Sequence, residues 1–73
     1  MTTDEAIVYI EDGIRRILEA VDKERAHWAW SFSNGQIYMA ENIGIIRYDT
    51  ARGLRKKTDE FLDAALVKLK EGV

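Results

Sequence analysis

The sequence predicts a small α+β domain of order α-β-β-β-α, an antiparallel meander covered on one face by two amphipathic helices. Three observations predict it. Asn34-Gly35, the preferred pair for a tight hairpin, divides the aromatic run WAWSFSNGQIYM. Isoleucines recur at helical spacing before this run, and leucines do so after it. The 73 residues make a single domain, 1–73, and a chain this short buries only about 60% of the surface that its unfolded form exposes.

The first helix is expected over residues 4–25. Ile7, Ile10, Ile14, Ile17 and Val21 repeat at intervals of three and four, and Leu18 widens the stripe. Thr3 suits the N-cap, with Asp4 and Glu5 at the positive end of the helix dipole and Lys23 and Arg25 at the negative end. Glu11 with Arg15, Asp12 with Arg16 and Glu19 with Lys23 stand four apart, the spacing of weak surface pairs. Gly13 interrupts the helix without breaking its apolar phase, which suggests close approach by another element.

Three strands are expected over 27–33, 36–41 and 43–48. A two-residue loop at Asn34-Gly35 sets Phe32 opposite Ile37 and Trp30 opposite Met39. Trp28, Trp30, Phe32, Ile37 and Met39 then share one face, expected to be the core beneath the helices; each aromatic can bury about 150–250 Å². Bases stacking on these rings is the lesser alternative, since no RNP-type sequence surrounds them. The opposite face carries His27, Ala29, Ser31, Tyr38 and Ala40. Solvent or a second subunit would suit that face equally, so His27, Ser31 and Tyr38, with Tyr48 on the third strand, are interface candidates. Glu41-Asn42 reads as a turn and Gly44 as a bulge.

The second helix is expected over 51–71, capped by Asp49 or Thr50. Leu54, Phe61, Leu62, Ala65, Leu66 and Leu69 form its stripe, and Gly72 follows its end. Its start holds the one charge anomaly. RYDTARGLRKK has five basic residues, Arg47, Arg52, Arg55, Lys56 and Lys57, against Asp49, whereas the remainder has six basic and twelve acidic residues. Cations in the first turns oppose the helix dipole, which fits an anion site for phosphate, a nucleotide, nucleic acid or an acidic protein. A solvated face explains the same run if Arg55 pairs with Asp59 and Lys56 with Glu60. The overall pI near 5.3 is unlike that of most nucleic-acid binders.

Composition excludes several chemistries. Without cysteine there is no disulfide or thiolate zinc site, and one histidine cannot build a histidine-rich metal site. No Walker loop, G-x-G-x-x-G or H-E-x-x-H motif is present. Asp59 and Asp63, with Glu60, are ordinary helical carboxylates and a weak signal for a cation. His27 with Ser31 lacks an orienting carboxylate, so no catalytic, cofactor or metal residue is expected. No apolar run spans a membrane, and the acidic start has no basic leader region, which leads to the expectation of a cytoplasmic protein. The resulting functional expectation is a non-enzymatic interaction protein, an adaptor, inhibitor or regulator. It would bind another protein stoichiometrically, as a homodimer. The alternative is a phosphate-reading module using the basic start of the second helix.

Overall fold

The computed structural model describes residues 1–71 and contains three helices, α1 (Thr3–Arg15), α2 (Lys23–Asn42) and α3 (Tyr48–Glu71), with a 3₁₀ turn at Arg16–Glu19 after α1. There is no strand among the described residues, so the α+β fold class, the three strands and the hairpin are all corrected. The chain is all-α. The expected stop at Gly72 lies outside the described residues.

Asn34-Gly35 lies in the middle of α2. There Asn34 Nδ2 donates to the Trp30 carbonyl (3.1 Å), so its side chain bonds back onto the helix instead of shaping a turn. The buried positions of α2 are Ala26, Ser33, Ile37 and Ala40, spaced seven, four and three apart, and this helical period prevails over the local hairpin pair. Ile37 is the sole β-branched residue from Lys23 to Asn42, so apart from its aromatics the segment has little strand preference.

The expected helix at 4–25 is also corrected. It ends at Arg15, tightens through Arg16–Glu19, and breaks at Ala20, whose backbone is extended. Asp22 then caps α2 by accepting from the Arg25 backbone N–H (2.8 Å), so Lys23 and Arg25 belong to the start of α2. At the other end Thr2, not Thr3, caps α1 in a reciprocal box with Glu5. These contacts hold the carboxyls of Asp22 and Glu5 below their ordinary range. The first cause is the Arg25 backbone bond for Asp22 and the Thr2 backbone bond for Glu5.

α2 ends in a Schellman turn. Gly44 adopts φ +79°, its N–H donates to Glu41 O (3.1 Å), and Ile45 N–H donates to Ala40 O (2.9 Å). The glycine read as a bulge is therefore a helix stop. Ile46, just beyond it, is buried. α3 begins three residues earlier than expected, at Tyr48.

The helices run up, down and up. Thr3 Oγ1 donates to Ile45 O (2.8 Å), which places the start of α1 beside the end of α2. Glu11 with Lys57 (2.8 Å) aligns α1 with α3, and Arg55 with Glu41 (2.7 Å) and Trp30 with Asp59 (2.9 Å) tie α2 to α3. Ile10, Ile14, Ile17, Ile37, Ile46 and Leu54 form the core, with alanines 26, 40, 51 and 65 at the close helix contacts. Gly13 is one such contact: a Cβ there would lie 2.9 Å from Gln36 Oε1. Beside it, Ser33 Oγ and Gln36 Oε1 are buried with no hydrogen-bond partner among the described residues.

Candidate functional site

None of the seven aromatic side chains, all of them among the described residues, is buried. This overturns the expected aromatic core. Of its five members only Ile37 is buried, while Trp30 is half-buried and Trp28, Phe32 and Met39 face outward. The reason is geometric. A strand puts alternate residues on one side, whereas a helix turns each residue by about 100°, so Trp28, Phe32, Gly35 and Met39 fall within about 60° of arc, well away from Ser33 and Ile37.

The result is an apolar strip along α2. Trp28 is 67% exposed, Phe32 51%, Met39 59% and Ile43 63%, and Tyr9 of α1 lies alongside at 63%. Trp28 stacks on Phe32 with ring centroids 5.3 Å apart, nearly parallel. Tyr9 and Gln36 line both the groove that holds Trp28 and Phe32 and the hollow that holds Met39, Ile43 and Met1, so the surface is continuous. At roughly 150–250 Å² for each large side chain when fully exposed, these exposures give the strip on the order of 600 Å² of largely apolar surface, the upper end of what a monomer shows. The largest patch on an ordinary monomer is about 300–600 Å².

The groove between α1 and α2, lined by Tyr9, Asp12, Arg16, Trp28, Phe32 and Gln36, encloses about 230 Å³. Small-molecule sites usually enclose about 300–1,000 Å³, so this groove is nearer the size of one intruding side chain.

The interface candidates His27, Ser31 and Tyr38 are exposed on α2, on the flank of this strip, as neighbours along a helix rather than on one sheet face. Tyr48 lies apart from them, at the start of α3. Sequence reasoning missed the strip itself and its members Tyr9 and Ile43. The available signal was that apolar residues of 23–42 spread over about 200° of the helical circumference, more than one neighbouring layer can cover.

The basic run is divided rather than gathered. Arg55 is committed to Glu41 and Lys57 to Glu11, not to the i,i+4 partners expected. Arg47, Arg52 and Lys56 are exposed and form no ion pair among the described residues. The shallow hollow around Arg52, Arg55 and Lys56 also contains Asp49 and Asp59, whose carboxylates oppose a bound anion. No group of three or more metal-ligating side chains occurs among the described residues, and no helix there is long and apolar enough to cross a membrane. Compared with protein-family models, curated proteins and solved structures, the chain matches none.

Proposed function

We propose that this chain is a small interaction protein that acts by stoichiometric protein binding, with the strip of α2 and Tyr9 as its binding surface. The observation that carries this reading is the outward placement of Trp28, Phe32 and Met39 on a rigid helix whose opposite side forms the core. Aromatic residues and methionine are enriched at the centres of protein interfaces, and anchors on a preformed helix lose little entropy on binding. Adaptor, inhibitor and regulator roles all use such a surface. The mixed charge around Arg52 and Lys56 lends no comparable support to phosphate reading.

Site-specific photocrosslinking tests this reading. A photoreactive residue at Phe32 or Met39 should trap one protein of defined stoichiometry, whereas the same residue at exposed Glu60 of α3 should not. Equal trapping at all three positions, or trapping at none, refutes it.

A further inference from the structure

We infer that the occupant of the strip is a second copy of this chain, with the two α2 helices packed antiparallel and crossing at Gly35. The inference rests on the strip being a protein-binding surface and adds the identity and orientation of what covers it. The strip has the spacing of a two-fold contact. Trp28 and Ile43 lie equally far in sequence from the Gly35–Gln36 bond, and so do Phe32 and Met39. A two-fold axis at that bond sets each Trp28 against an Ile43 and each Phe32 against a Met39. A large ring thus meets a slimmer side chain at every level, and the sulfur–aromatic contact is favourable. The surface is self-complementary in this sense alone: parallel packing would put ring against ring.

Gly35 stands at the centre of the strip. It is exposed in mid-helix, and a Cβ there would meet nothing within 4 Å, so packing within the chain gives no reason for a glycine. Its lack of a side chain makes a low point between Phe32 and Met39, where a second backbone can come close. In area, the roughly 600 Å² of the strip is about three quarters of the roughly 800 Å² that each partner contributes to an interface of standard size, and two copies together reach about 1,200 Å², the lower bound of that class.

Antiparallel packing also opposes the two α2 helix dipoles, whereas parallel packing aligns them.

Sedimentation velocity between about 1 and 100 μM, the range in which interfaces of modest size assemble, should show a monomer–dimer equilibrium. Gly35→Leu should weaken the dimer at least tenfold while leaving helicity and the unfolding of the dilute chain unchanged or improved, because the added side chain meets nothing in the monomer. The chain has no cysteine, so orientation can be read by mixing Phe32→Cys and Met39→Cys chains under oxidising conditions. The mixed disulfide should exceed both like pairs. A monomer throughout the range, or a dimer indifferent to Gly35→Leu, overturns the inference, as does a predominance of like pairs. A monomer that nevertheless crosslinks to a different protein through Phe32 overturns it while leaving the interaction reading intact. A monomer that crosslinks to nothing overturns both.

Discussion

α2 and α3 are built from similar proportions of apolar residues and place them oppositely. α3 buries Ala51, Leu54, Thr58 and Ala65 on one side and exposes mostly charged residues elsewhere. α2 buries small or polar groups, Ala26, Ser33 and Ala40 beside Ile37, and carries its bulk outside. α3 therefore completes its burial within the monomer, as an amphipathic helix does, and α2 does not. The lesson is that apolar content says how much surface a segment must hide, but not whether its own chain hides it.

The largest expected effect probes the two sides of α2 directly. Ile37→Ala should destabilise the dilute monomer by about 2–5 kcal/mol, because Ile37 is fully enclosed and its loss leaves a cavity. Met39→Ala, two residues away, should cost less than about 1 kcal/mol under the same conditions. Urea unfolding at low protein concentration measures both, and similar losses would erase the contrast between the two sides.

A second effect concerns how α2 begins. Asp22→Ala should lower the unfolding midpoint measurably through loss of the cap on Arg25. The folded carboxyls of Asp22 and Glu5 are held low, so the unfolded chain takes up protons first as the medium is acidified. Their stabilisation is complete above the ordinary carboxylate range and declines as pH falls below about 4.5. Asp22→Ala should accordingly flatten the acid limb of a plot of stability against pH. An unchanged limb would show that the cap is not formed.

The smallest effect tests the tie between the compared helices. The Arg55–Glu41 pair leaves 36% and 27% of its two side chains exposed. A double-mutant cycle with Arg55→Met and Glu41→Gln should return a coupling of less than about 1 kcal/mol that shrinks as salt is added. A larger coupling that salt leaves unchanged would mean that α3 is held to α2 by this pair more than by packing.

The apolar faces of the outer helices were legible because their apolar residues recur on one side, although the first helix ends ten residues before its expected stop at residue 25. Ile10, Ile14 and Ile17 all enter the core, as do Leu54 and Ala65. The middle was not legible, for a specific reason. Asn34-Gly35 is a local signal for a turn, and the alternation of bulky and small side chains from Trp28 to Phe32 imitates a strand at a length where the two periods overlap. What decides for helix is contact with α1 and α3 through Ala26, Ser33, Ile37 and Ala40, a stripe too small and too polar to stand out. The binding surface went unseen with it, since residues assigned to a core cannot also be assigned to the outside. Of the candidate residues, the charges of the basic run were legible, but their division between Glu41, Glu11 and solvent required the placement of three helices.

The two indoles of α2 occupy unlike settings. Trp30 is anchored to Asp59 on α3, and Trp28 lies on Phe32 at the surface. The chain therefore carries two intrinsic optical reporters, one following cohesion between helices and the other following whatever shields the outer ring. Emission from the first tracks whether the bundle is formed, and emission from the second tracks whether it is accompanied.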